Sequence, residues 1–376
     1  MESILEEIRN LRNNEPFEID FNNSNRYRIV VCEADGSRTA YYFSSPIYNF
    51  ENKKLVDIKF HRTNDVICVL GSNANIQISK NILLKNLDGF CCIELEDKPE
   101  FISNKRVKSG KYLLEPTLNG IVIKGDITNG EKIYLTLDIG EQVLYSRTND
   151  KCIALMKEQF KPLIVVSSIG AFNEKDELVS PARMEFHRIT SSKYMLVIST
   201  DNLSAQSIMV ECNLYENKLF QDTTVESGNP TVNNAFGTIA FIGTTETFGV
   251  QWLYSRLDYS RFTELLDKQI KKVIWHLPQL NESSNEMSAY NVAARFCSFG
   301  SNWNNRVSNT AFVADSKNKN GYQSIDITTV LVDGYTKKII RREGIILKPK
   351  MKYVGFSAVS TSDSYYAPQI LEIRYI

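Results

Sequence analysis

Apolar and polar residues along this chain recur at two different periods, and the change comes within the first sixteen residues. Ile4, Leu5, Ile8 and Leu11 repeat at helical spacing. Ser3 and Glu6 fit a capping box. Glu2, Glu6 and Glu7 come early and Arg9 and Arg12 late, the order that a helix dipole favours. The pattern predicts a helix too short to be stable alone. Its stripe of Ile4, Leu5, Ile8 and Leu11 must therefore dock, either on this chain or on a neighbouring copy, and these four residues are the candidate assembly interface.

From Pro16 onward the period is two. Residues 26–33 and 39–43 read as strands around the turn pair Asp35-Gly36, a hairpin signal. A second hairpin is expected from residues 120–127 and 132–137 around Asn129-Gly130, because Asn-Gly supplies the positive φ of a type I′ turn. Further short strands are expected at 55–61, 66–71, 91–95, 152–156, 184–189 and 194–199. In the last segment, residues 273–277 are nearly continuous in apolar character, which suits a strand covered on both faces. Leu371, Ile373 and Tyr375 alternate with Glu372 and Arg374, as in a half-buried strand. A second helical stretch is suggested at 261–271.

Many short strands with turn residues between them predict an all-β chain. The expected architecture is tandem β-sandwich domains with a short N-terminal amphipathic helix. Boundaries are expected near residues 105–110 and 216–221. They separate the helix (1–15), a β-rich domain (16–108), a sandwich-like domain (109–218) and a C-terminal sandwich (219–376).

Composition sharpens this picture. With 43% hydrophobic residues in 376, there is ample material for packed cores. Lys plus Arg and Asp plus Glu number 44 each. Such a balance gives no broad field to attract nucleic acid or anionic lipid. It also lets identical copies approach without long-range repulsion. No stretch reads as a secretory signal or a membrane span. The expectation is a chain made in the cytoplasm, not inserted in a membrane, and deposited on a spore surface or released as part of a particle. Of the seven cysteines, most lie in apolar strand-like runs and read as small buried hydrophobes. Cys91-Cys92 is the pair that could link subunits.

Catalytic signals are sparse. His61, His187 and His276 lie far apart, without partners at metal-ligand spacing, and read as structural. No nucleophile elbow, phosphate loop or dinucleotide fingerprint occurs. Residues 315–321 place lysines where a calcium loop needs oxygen ligands. Glu94 and Glu96 share one strand face and read as its wet side. Residues 337–342 (KKIIRR) read as a charged edge strand. No cofactor, metal or catalytic set is expected. The ligand candidates are aromatic: Trp303 after a turn cluster, and Tyr365 and Tyr366 in a Ser-rich loop. Trp303 is expected to plug one end of the sandwich or to stack on a ligand.

The last 156 residues carry an ordered series of short motifs. Asp222-Thr223, Asn229-Pro230 and Asn233-Asn234 come first, then a strand with Arg256 and Asp258, then Trp303-Asn304. Asp326-Ile327-Thr328, Gly344-Ile345 and the closing Pro368-Gln369-Ile370-Leu371-Glu372-Ile373-Arg374-Tyr375 follow. This order resembles the DNRLRE domains of bacterial and archaeal surface proteins, although the six residues that name that family are absent. The resemblance implies a β-sandwich from wall-associated or polysaccharide-binding proteins. Together these readings predict a non-enzymatic structural or adhesive subunit. It would self-assemble as a homo-oligomer or filament on a bacterial surface, spore surface or particle. The alternative is a carbohydrate-binding protein that recognises a wall polysaccharide or exopolysaccharide.

Overall fold

The computed structural model describes residues 2–44 apart from Arg26, and Ile47. It then describes the strands between Lys59 and Leu214 with a few of their turn residues. Last come residues 219–376 apart from 236, 283–284, 341–342, 352–354 and 365–366. Strand accounts for 51% and helix for 9%, so the all-β expectation holds, with several antiparallel sheets and one short N-terminal helix.

The chain forms two compact units. Met1–Lys53 joins Asn217–Ile376 in one, and Lys54–Glu216 makes the other. Residue 108 does not mark a boundary, because Arg106–Ser109 and Tyr112–Pro116 pair as neighbours within one sheet. The joining of the two chain ends has a direct cause. Arg38–Phe43 pairs along its whole length with the closing strand Ile370–Tyr375, from Arg38 opposite Tyr375 to Phe43 opposite Ile370. Such long-range pairing leaves no local trace in a sequence.

The first unit is a sandwich of two seven-stranded sheets. The first sheet runs Glu18–Ile19, Arg28–Cys32, Arg38–Phe43, Ile370–Tyr375, Ile270–Pro278, Tyr322–Asp326, Lys317–Lys319. The second contains Asn309–Asp315, Met287–Val292, Ile345–Pro349, Gly249–Leu257, Ile239–Thr245 and Gly355–Ser360, with Phe220–Glu226 beside Gly249–Leu257. Val30, Tyr42, Val273, Trp275, Leu371 and Ile373 of the first sheet share one buried cluster with Ala240, Leu253, Ala289, Leu347 and Val359 of the second. Trp275 stacks on Phe220 across this core at 5.4 Å. The alternation of the closing strand is as expected, with Leu371, Ile373 and Tyr375 buried and Glu372 and Arg374 half-buried.

The Asp35-Gly36 hairpin forms, with Gly36 at φ +80° and the Asp35 carboxylate accepting from the Ser37 amide at 3.0 Å. The second expected hairpin does not. Gly120–Lys124 lies in a nine-stranded sheet between Tyr112–Pro116 and Ser207–Leu214. Lys132–Asp138 lies in an eight-stranded sheet between Phe90–Glu94 and Lys193–Ser199. Both strands were legible, but a connection that passes from one sheet to another looks the same in sequence as a tight turn. Asn129 and Gly130 lie outside the described residues.

Three local expectations are also corrected. The helix spans Glu2–Leu11, so Ser3 falls within it and not before its first residue. The stretch expected to be helical near 261 holds a 3-10 helix, Tyr259–Leu265, capped by the Asp258 carboxylate through the Ser260 amide. Of residues 337–342, expected as a charged edge strand, Lys337 follows a turn at 334–336 with φ +58°, Ile339 makes a single bridge to Val332, and 341–342 lie outside the described residues. Asp333 accepts the amide of Tyr335 there, which favours the turn over extended pairing.

Candidate functional site

The two outer faces of this sandwich are covered in different ways. On the first sheet, Ile29, Val31, Tyr41, Phe43 and Ile370 point away from the core yet are buried. The N-terminal helix reaches the strands on both sides of that face. At one side Arg12 donates to both Glu33 carboxylate oxygens, at 2.7 and 2.9 Å. At the other, Lys319 donates to the Leu11 carbonyl at 2.6 Å and Asn320 to the Asn10 carbonyl at 2.7 Å. Tyr322 hydrogen-bonds Glu7, whose carboxyl is raised above its ordinary value chiefly by burial. Glu33 is held below its ordinary value, first by Arg12.

Ile8 and Leu11 are buried within the chain, while Ile4 and Leu5 are half-buried. The apolar stripe is thus used at Ile8 and Leu11 by this chain itself, the first of the two dockings expected for it. Below the helix, His276 is buried between Ser324 at 2.8 Å and Glu372 at 3.0 Å, so both ring nitrogens are satisfied. His187 and His61 are exposed. Among the described residues no group of His, Cys, Asp or Glu is placed to hold a metal ion. Cys32 and Cys297 are free and exposed, against the expectation of burial: Cys32 ends its strand and Cys297 lies in the loop at 293–308. The side chains of Cys91 and Cys92 lie outside the described residues.

The second sheet presents something else. Alternation along Gly249–Leu257 turns Leu253 and Leu257 into the core and Trp252, Tyr254 and Arg256 outward. Because Leu253 opposes Leu347 and Leu347 opposes Ala289, the outward neighbours of Trp252 include Lys348 and Tyr290. A loop at 293–308 folds back over this face. The Tyr254 hydroxyl donates to the Val307 carbonyl, and burial pushes its pKa up to about 12. The Asn233 amide donates to the Ser298 and Ser301 carbonyls at 2.6 and 2.7 Å. Asn233 therefore clamps the loop, which gives a structural role to one of the ordered motifs. Glu226 shows the same economy of means. It is fully buried and accepts from the amides of Asn229, Asn234 and Gln251 at 3.0, 3.2 and 2.6 Å.

The clamped loop delivers Trp303 onto Trp252, with ring centres 4.8 Å apart and planes inclined by 44°. Arg306 lies 4.1 Å from the Trp303 ring centre and 5.1 Å from that of Trp252, and it donates to the Trp303 carbonyl. Lys348 holds its ammonium 3.8 Å from the Trp252 ring centre and donates to Asn309 at 2.6 Å. Tyr290 meets Phe312 edge to face at 5.8 Å, and Phe312 is 56% exposed. Trp252, Tyr290 and Trp303 are half-buried.

Two cations thus gather around one indole. Among the described residues neither is paired with a carboxylate. Burial first and Arg306 second draw the Lys348 ammonium below its ordinary value. Each cation gains roughly 0.5–2 kcal/mol from the aromatic faces, but the two repel each other. An anionic group above the rings would relieve that repulsion and accept charge-assisted hydrogen bonds from both. The rings beside them offer flat apolar surface to the C–H faces of a sugar.

Of the expected ligand residues, Trp303 lies in this cluster, and its ring packs on the outer face rather than plugging an end of the sandwich. Tyr365 and Tyr366 lie outside the described residues. Sequence reading missed Trp252, Tyr290, Arg306, Phe312 and Lys348. The available signals were the spacing of Trp303 and Arg306, and a lone lysine in the apolar strand IILKP. No protein-family model matches the chain, and no curated protein matches it.

Proposed function

We propose that this chain is a non-catalytic binding protein that holds an acidic polysaccharide on the outer face of its second sheet. The observation that carries this reading is the pair Arg306 and Lys348, held over Trp252 and Trp303 with no carboxylate partner among the described residues. Aromatic rings alone would suit a neutral sugar, and cations alone would suit any anion. Their combination suits a sugar chain with carboxylate or sulfate groups. The motif order similar to DNRLRE domains supports the same reading, since such modules occur in wall-associated and polysaccharide-binding proteins.

The test is affinity electrophoresis or calorimetry with polygalacturonate as the acidic probe and dextran as the neutral one. Binding to polygalacturonate that weakens as salt rises, and weakens in a folded Trp303→Ala variant, is the expected result. Binding to neither probe, or binding that Trp303→Ala leaves intact, would remove the proposal. A second reading, a self-assembling structural or adhesive subunit, is favoured by a separate feature of the same sheet, its open edge strand.

A further inference from the structure

Every sheet edge offers unpaired backbone groups, and natural proteins shorten, charge or cover such edges. In the first unit most edges are treated this way. The first sheet ends in Glu18–Ile19, two residues long, and in Lys317–Lys319, three residues with two lysines. In the second sheet, Gly355–Ser360 is met on its outer side by the residues around Asn281. The Leu280 amide donates to the Ala358 carbonyl, and the Asn281 side chain bonds the Phe356 carbonyl and the Ala358 amide. Phe220–Glu226 is met by Asn234 and Ser362.

Asn309–Asp315 differs. It is seven residues long and pairs on one side with Met287–Val292, with a register shift on each side of the Tyr290–Phe312 pair, so that bulges are the one edge device it carries. Among the described residues no strand pairs with its other side. Its middle residues, Thr310, Ala311 and Phe312, are exposed. It contains no Lys, Arg or Pro, and its one charge, Asp315, is already held by Lys350 at 3.0 Å and by the Ser288 hydroxyl at 2.6 Å.

We propose that Asn309–Asp315 is the pairing edge of a homodimer, in which two copies join antiparallel and extend the second sheet across a two-fold axis. The second copy is the occupant that the sequence of the edge fits. A register centred on Phe312 sets Phe312 against Phe312, Ala311 against Val313, Thr310 against Ala314 and Asn309 against Asp315. No like charges meet, and the aromatic pair falls at the centre. The chain as a whole balances 44 basic against 44 acidic residues, so copies approach without net repulsion. A two-fold contact of this kind is self-complementary and closed, which yields a dimer rather than a filament. This inference does not depend on the glycan reading.

Sedimentation velocity on the full chain, from low to high micromolar concentration, tests it, with Phe312→Lys and Ala311→Lys as separate variants. The wild type is expected to reach the mass of a dimer. Both variants are expected to remain monomeric, with unchanged thermal unfolding, since both positions are exposed. Should either variant unfold, amide exchange of the wild type replaces it. The amides of 309–315 must then exchange more slowly at high than at low protein concentration. A wild type that stays monomeric, association that persists in both folded variants, or exchange independent of concentration would overturn the proposal.

Discussion

The two outer faces of the first unit belong to sheets of the same size on opposite sides of one core, yet they are finished in opposite ways. The first sheet is roofed by the chain's own helix. Its outward apolar residues are buried, its charges are paired as Arg12 with Glu33, and its buried histidine is satisfied by Ser324 and Glu372. Among the described residues the second sheet carries half-buried rings, two cations without carboxylate partners, and an edge with no paired strand. A face whose apolar residues are covered and whose charges are paired contributes stability and has little left to offer a partner. A face with flat apolar surface and uncompensated charge is incompletely satisfied by its own chain. The contrast therefore separates the face that the chain covers itself from the face proposed to bind.

The contrast can be broken by truncation on each side. Ile8→Ala removes a fully buried side chain from the roof and is expected to cost about 3 kcal/mol. Phe312→Ala on the other face should change stability by less than about 0.5 kcal/mol. Urea denaturation midpoints of the two variants check this directly, and equal losses would show that the faces are not distinct. Next in size, Trp303→Ala should weaken polygalacturonate binding by about 2 kcal/mol, roughly thirtyfold in Kd, as for a central contact residue. Calorimetry measures it.

A smaller effect is expected at Glu7, under the roof. Its folded-state pKa lies above its unfolded value, mainly through burial. As pH rises, the unfolded chain ionises first, so the folded state loses stability through that interval and carries the penalty at neutral pH. Glu7→Gln should then raise Tm slightly at pH 7, and the gain should fade toward about pH 4, near the unfolded value. Glu33 has the opposite sign. Its depressed pKa gives stability that is present at neutral pH and is lost as pH falls through the folded value. The smallest effect is at Lys348. Lys348→Met should leave stability within about 0.5 kcal/mol of wild type, because burial and Arg306 already disfavour its charge. The same substitution should still weaken binding to a polyanion.

Much of the fold could be read from period and turn chemistry. The helical stripe of Ile4, Ile8 and Leu11, the Asp35-Gly36 hairpin and the alternation of residues 371–375 all record local geometry. The pairing of Arg38–Phe43 with Ile370–Tyr375 did not show, because nothing in either strand names a partner more than 300 residues away. Asn129-Gly130 misled for the same reason: such a pair is a turn signal in sequence and does not say which strand comes next. The candidate site was legible only at Trp303. Its other members come from five different segments, and each is unremarkable alone. Lys348 becomes informative only when Leu253 is known to oppose Leu347, which sets the lysine beside Trp252.

The most direct test of the central claim uses the protein's own tryptophans. Trp275 is fully buried in the core, whereas Trp252 and Trp303 stand on the proposed binding face. Titrating polygalacturonate while recording tryptophan emission should give a saturable change. High salt should abolish it, the doubly substituted Arg306→Gln, Lys348→Met chain should lack it, and dextran should not produce it. An emission spectrum that polygalacturonate leaves unchanged at low salt would contradict the assignment of this face as the binding surface.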